Sequence, residues 1–150
     1  MNKRKLLKLA AMLEADAKNK KGIKFDLEIV ASASITNFSV TTAEFPDGKQ
    51  PTLDCETAAC AIGLACLSGK FKGLSYSITK LGFFNVVVNG HTASFESSYK
   101  IFDLTVSEGE WLFVPWSYDK SPKGAKGERL VAKRIRDFVS GKANPPSPWN

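Results

Sequence analysis

The spacing of apolar residues predicts an amphipathic helix at each end of the chain. Leucine and alanine recur every three or four residues between positions 6 and 13, with lysines on the opposite side, so we expect a helix over residues 2–17. A similar stripe runs over residues 130–139 and stops before Gly141, a residue type that commonly ends helices. In this second helix we place the basic residues off the apolar stripe. They are Arg129, Lys133, Arg134 and Arg136.

Alternation of apolar and polar residues predicts β-strands in the middle of the chain. Residues 23–29 and 74–78 both alternate with the two-residue period of a half-buried strand. Two further β-rich runs flank Asn89-Gly90, a dipeptide suited to a type I′ turn because both of its residues accept positive φ. We therefore expect an antiparallel hairpin over residues 84–95.

Three shorter helices are predicted between these elements. A run of small apolar residues over 54–67 indicates a buried helix that ends on glycine, and residues 98–102 indicate a short helical segment. Ser107 and Glu110 have the spacing of a capping box, so we expect another short helix that Pro115 stops.

Taken together, the elements predict an α+β fold. We expect a small single domain over residues 1–142, with about four to five helices and a small antiparallel sheet that includes the hairpin. Residues 143–150 form a proline-rich C-terminal tail, which cannot be helical.

Length and composition limit the class of protein. A chain of 150 residues, 43% of them apolar, can bury one core. No apolar run approaches the roughly 20 residues that span a bilayer, and the N-terminus lacks a signal peptide's apolar stretch. Three cysteines are an odd number and do not suggest a secreted disulfide framework. We expect a cytoplasmic protein that does not bind membranes.

The net charge of +6 is concentrated at the two ends. Residues 1–24 hold eight Lys and Arg against two acidic residues, and residues 119–150 hold eight against three. Side by side, the terminal helices would present one positive face to phosphates, although a solvated helix face explains the pattern equally well. No recognisable nucleic-acid-binding motif accompanies these residues. The candidates for contact with nucleic acid are Lys3, Arg4, Lys5, Lys126, Arg129, Lys133, Arg134 and Arg136.

The candidate metal ligands are Cys55, Cys60, Cys66 and His91. The cysteines are five and six residues apart, whereas zinc sites usually use pairs separated by about two to four residues. Residues five apart on a helix also point to different sides. We therefore expect packed thiols, no metal and no cofactor.

No catalytic motif stands out. The acidic pairs Glu108/Glu110 and Asp54/Glu56 have local roles at predicted helix starts, where carboxylates favour the helix dipole. The chain has no nucleophile elbow, zinc-protease motif or glycine-rich phosphate loop. We therefore predict that the protein is not an enzyme, with an unfamiliar active site as a lesser alternative.

Four aromatic residues surround Pro115 and form the best candidate for a partner-binding surface. Exposed aromatic residues commonly anchor protein interfaces, and they also stack nucleic-acid bases. The alternative is that they pack in the core, with Trp116 folded over it as a lid. The four residues are Trp111, Phe113, Trp116 and Tyr118.

Residues 55–65, CETAACAIGLA, resemble the C-G-T-x-x-C-x-x-G-x-A segment of a group of small phage and prophage proteins. Residues 102–115 are similar to that group's L-x-L-T-x-x-E-A-x-x-L-F-x-P stretch, although Glu56 stands where the group usually has glycine. The resemblance implies a phage-type accessory protein and no particular activity. Such a protein would act in the cytoplasm of the host cell.

Three functional hypotheses follow from the sequence. The first is a non-enzymatic phage or prophage accessory protein that binds a host or phage macromolecule, with a protein partner favoured over nucleic acid. The second is a sequence-tolerant nucleic-acid-binding protein that uses the basic terminal helices. The third is a minor component of the virion.

Overall fold

The computed structural model of the protein describes residues 1–19, 24–27, 31–32, 58–78 and 84–147. The helices in these ranges are α1 (Lys3–Asp16), α2 (Ala61–Ser68), α3 (Val106–Phe113) and α4 (Gly124–Val139), with 3-10 helices at Phe95–Phe102 and Pro115–Ser117. The strands are β1 (Lys24–Phe25), β2 (Ala31–Ser32), β3 (Ala58–Ala59), β4 (Leu74–Ile78), β5 (Phe84–Val88) and β6 (His91–Thr92). The predicted α+β class is confirmed.

Strands β4, β5 and β6 form an antiparallel sheet in that order. Its turn lies at Asn89 and Gly90, whose φ angles of 50° and 82° are the positive values expected from the sequence. Tyr76 pairs with Val86, and its ring stacks on Phe84 with 5.3 Å between the centroids. The predicted hairpin is therefore confirmed. In a second, smaller sheet, β3 lies between a parallel β1 and an antiparallel β2.

The terminal helices α1 and α4 lie side by side. The predicted apolar stripe of α1, from Leu6 to Leu13, is fully buried, and so are Val131 and Ile135 of α4. At the surface, Arg136 donates two hydrogen bonds of 2.7 Å to the carboxylate of Glu14, which joins the two helices. No helix in the described ranges is long and apolar enough to cross a membrane.

Two predicted helix boundaries were wrong. The helix expected over residues 54–67 begins only at Ala61, because Ala58 and Ala59 pair with β1 and β2; residues 54–57 lie outside the described ranges. Helix α4 begins at Gly124, ahead of the apolar stripe predicted over residues 130–139. Gly127 therefore lies within the helix, where it allows close packing: an added Cβ would lie 2.6 Å from the carbonyl carbon of Pro122.

The capping box of α3 uses Thr105 rather than Ser107. Thr105 Oγ1 accepts from Glu108 N at 3.2 Å, and Glu108 Oε2 accepts from Thr105 N at 2.8 Å. The short helical segment expected over residues 98–102 is the end of the 3-10 helix Phe95–Phe102. Helix α3 packs closely on it, since a Cβ at Gly109 would overlap the ring of Tyr99.

Candidate partner-binding site

Side chains from outside α3 satisfy the carbonyl groups at its C-terminal end. Such carbonyls have no partner within the helix and need one elsewhere. The Trp111 carbonyl accepts hydrogen bonds from Ser117 Oγ and Arg134 Nη1, both at 2.8 Å. The Leu112 carbonyl accepts one from the Tyr118 hydroxyl at 2.8 Å. The end of α3 and the following 3-10 helix Pro115–Ser117 are thus fixed to each other and to α4.

Arg134 is the centre of this arrangement. Its guanidinium carbon lies 3.3 Å from the ring centroid of Tyr118 and 5.0 Å from that of Trp111. It also donates to the carbonyl and the hydroxyl of Ser117, at 3.0 and 2.9 Å. Arg134 is not among the buried residues of the α4 stripe, as predicted, but its half-buried side chain is held by contacts within the fold. It comes three residues after the buried Val131, a spacing that puts both side chains on one face of α4.

Trp116 projects from this fixed segment into solvent. Its side chain is 79% exposed, although tryptophan usually buries most of its surface. Within the described part of the chain it makes no hydrogen bond, ion pair or ring contact. The alternative in which Trp116 closes the core as a lid does not match this placement.

The four predicted aromatic residues divide into two pairs. Phe113 is fully buried beside Phe102 and Tyr99, at centroid distances of 6.1 and 6.0 Å, and Tyr118 is buried beneath Arg134. Phe113 and Tyr118 therefore pack beneath the exposed segment and are not accessible to a partner. Trp111 is half-buried, with its ring centroid 5.8 Å from that of Phe138 in an edge-to-face arrangement, so it and Trp116 are the accessible members.

A groove of about 330 Å³ is lined by both tryptophans. Val114 adds an apolar surface, and Ser107 and Glu110 add polar atoms. Pro145 and Pro146 of the C-terminal tail also line the groove, which was not predicted from the sequence. We call this groove, with Trp116 at its edge, the Trp116 surface.

The two acidic residues of α3 have different roles. Glu108 belongs to the capping box, as its position at a helix start suggested, whereas Glu110 lines the groove. The Glu110 carboxylate forms no ion pair with a cation in the described ranges. The other acidic pair considered from the sequence, Asp54 and Glu56, lies outside these ranges.

Most of the basic candidates for nucleic-acid contact are engaged within the protein. Lys5 Nζ donates to the Ile101 carbonyl at 2.9 Å, and Arg129 Nη2 donates to the Ala17 carbonyl at 3.4 Å. Lys133 pairs with Asp137, Arg136 pairs with Glu14, and Arg134 holds α3. The candidates that are exposed and have no such partner in the described ranges are Lys3, Arg4 and Lys126.

Cys60 and Cys66 are both buried. Cys60 precedes α2 and caps it, because its Sγ accepts a hydrogen bond from Gly63 N at 3.4 Å. Burial raises the pKa of Cys60 to about 11 and also raises that of Cys66, which opposes thiolate chemistry. Cys55 lies outside the described ranges, and His91 is exposed in β6. No three potential metal ligands converge among the residues that the structure describes.

One unusual group was not predicted from the sequence: the carboxyl of Glu128. It is 3% exposed in α4, and one of its oxygens has no hydrogen-bond partner in the described part of the protein. Burial and a hydrogen bond shared with Asp16 of α1 raise the pKa of Glu128 to about 9. Its position was readable, since Glu128 comes three residues before Val131 and seven before Ile135, on the apolar face of α4.

No protein-family model matches the chain, and neither a curated protein nor a solved structure matches it. Its function is therefore inferred from its own residues.

Proposed function

We propose that the chain is a non-enzymatic binding protein that holds a partner protein through the Trp116 surface. The observation that carries the proposal is the 79% exposure of Trp116 on a segment that is otherwise tightly fixed. Tryptophan is among the residues that most often dominate interface energetics, because a partner can cover its large apolar surface.

The hydrogen bonds beneath the surface favour binding further. Ser117, Tyr118 and Arg134 hold the backbone on both sides of Trp116, so little conformational freedom is left to lose when a partner binds. The backbone of this surface therefore already has a fixed conformation before a partner binds.

The resemblance of residues 55–65 and 102–115 to small phage and prophage proteins adds a biological setting to the proposal. In that setting the protein is an accessory factor that binds a host or phage protein, or serves as a minor virion component. The nucleic-acid alternative has less support, because Arg134 and Arg136 are committed to contacts within the fold.

The proposal is tested by identifying a partner and then measuring its affinity. Proteins from nuclease-treated bacterial lysate are captured on the purified chain, identified, and produced in pure form. Their Kd is then measured against the wild-type chain, the Trp116→Ala variant and Leu7→Ala. Leu7 is a suitable control because it is an exposed apolar residue of α1 that does not line the groove.

We expect Trp116→Ala to weaken the binding of a true partner by roughly 30-fold or more, which corresponds to about 2 kcal/mol. Leu7→Ala should leave Kd nearly unchanged. Equal weakening by both variants, or complete loss of captured material after nuclease treatment, would refute the proposal.

A further inference from the structure

We infer that the Trp116 surface binds a proline-rich peptide segment that carries a lysine or arginine. This inference rests on the proposed function and specifies the chemistry of the partner. Three features of the groove support it: its aromatic lining, the prolines that also line it, and an acidic group that has no cation partner among the described residues.

The aromatic lining suits an extended, apolar peptide. Trp111 and Trp116 stand on the same groove, and Val114 continues the apolar surface between them. Aromatic-lined grooves are the usual docking sites for polyproline II segments, which arrive already extended and lose little entropy when they bind. The two side chains lie on a fixed backbone, so their separation is set in the free protein.

The chain itself places prolines at this site. Pro145 and Pro146 of the C-terminal tail line the same groove as the tryptophans, and Pro145 is half-buried. Consecutive prolines favour the polyproline II conformation. The groove of about 330 Å³ that these residues line is open to a further segment of similar chemistry.

The negative charge at the groove indicates which type of residue lies beside the prolines of the ligand. Glu110 is half-buried at the groove and forms no ion pair with a cation in the described part of the chain. The guanidinium of Arg134 lies against Trp111 and Tyr118 and donates to the Trp111 carbonyl, so it is engaged elsewhere. A lysine or arginine beside the ligand's prolines would supply the missing positive charge.

The inference is tested with a displayed library of short random peptides selected on the full-length protein. Selected sequences should be enriched in proline together with lysine or arginine. The most enriched peptide is then synthesised, and its Kd is measured for the wild type and three variants. Trp116→Ala removes the anchor, Glu110→Gln removes the charge, and Glu96→Gln is a matched control because Glu96 is exposed and does not line the groove.

We expect Trp116→Ala to weaken this peptide roughly tenfold or more and Glu110→Gln to weaken it roughly threefold, with no change in Glu96→Gln. Peptides that lack proline, or no selected peptides at all, would overturn the inference. Equal effects of Glu110→Gln and Glu96→Gln would overturn its electrostatic part. If the selected peptides lack proline but a protein partner still depends on Trp116 for binding, the peptide class is wrong and the proposed function stands.

Discussion

Arg134 Nη1 lies 2.8 Å from the carbonyl oxygen of Trp111, and this bond joins helix α4 to the end of α3. The same guanidinium group covers the ring of Tyr118. One side chain therefore supports the segment that presents Trp116. Its contribution to stability can be measured separately from any contribution to binding.

Replacing Arg134 by methionine should destabilise the protein by roughly 2–3 kcal/mol, because the Trp111 and Ser117 carbonyls lose a charged donor. The neighbouring Lys133→Met is the control. Among the described residues Lys133 pairs with Asp137 alone, and its side chain is 72% exposed, so its loss should change stability by less than about 1 kcal/mol. Denaturant unfolding measures both changes, and similar values for the two variants would contradict the role given to Arg134.

Glu128 should make the fold less stable as the pH rises. Its carboxyl has an ordinary pKa of 4.5 when unfolded, and burial raises this to about 9 in the folded protein. Between pH 4.5 and about 9 the folded state binds one more proton at Glu128 than the unfolded state does. The stabilisation that is present below pH 4.5 is therefore lost as the pH rises towards about 9. Glu128→Gln should therefore flatten the pH dependence of Tm over this range and raise Tm at its alkaline end.

The matched control for this prediction is Glu96→Gln, which removes an exposed carboxylate of the same type. Its pH dependence of Tm should follow the wild type. A Glu128→Gln variant that kept the wild-type slope would show that Glu128 is not protonated in the folded protein near neutral pH.

Cys60 should matter as a helix cap and as a packed side chain. Cys60→Ala removes the acceptor for Gly63 N, and we expect a loss on the order of 1 kcal/mol in the free energy of unfolding. Cys60→Ser retains an acceptor of nearly the same size and should recover most of this loss. Equal stability of the alanine variant and the wild type would show that the cap contributes nothing.

The exposed basic residues should give only weak binding to nucleic acid. Reversing the charges of Lys3, Arg4 and Lys126 tests this without breaking internal contacts, since none of them has a partner in the described ranges. The dependence of duplex-DNA affinity on salt reports the number of phosphates neutralised, with a log-log slope of about −0.9 for each. Tight binding at physiological salt that this triple variant abolishes would favour the nucleic-acid alternative over a protein partner.

The elements that the sequence predicted well are those determined by local pattern. The stripe of α1 and the Asn89-Gly90 turn depend on residues close in the chain, and both were found as expected. Helix starts were harder to predict, because two candidate N-cap residues can lie only a few positions apart. Thr105 and Ser107 both precede acidic residues at capping-box spacing, and contacts made by α3 with distant residues, such as that of Gly109 with Tyr99, are not visible in the local pattern.

The candidate site depends on contacts between distant parts of the chain, which a local pattern does not reveal. The aromatic segment was recognised, yet nothing near it indicated that Pro145 and Pro146 would line the same groove. Arg134 and Glu128 were different cases. Their helical spacing places them among buried residues of α4, but polar side chains are normally assigned to solvent, and the tertiary partners that hold them there come from α3 and α1.

The most direct test of the Trp116 surface is the measurement of stability and partner affinity on the single variant Trp116→Ala. Because Trp116 is 79% exposed, we expect the free energy of unfolding of the variant to stay within about 0.5 kcal/mol of the wild-type value. The affinity for the partner protein should fall by about 2 kcal/mol, roughly 30-fold in Kd. A loss of stability near 3 kcal/mol, with partner binding per folded molecule unchanged, would contradict the assignment of Trp116 as a binding anchor.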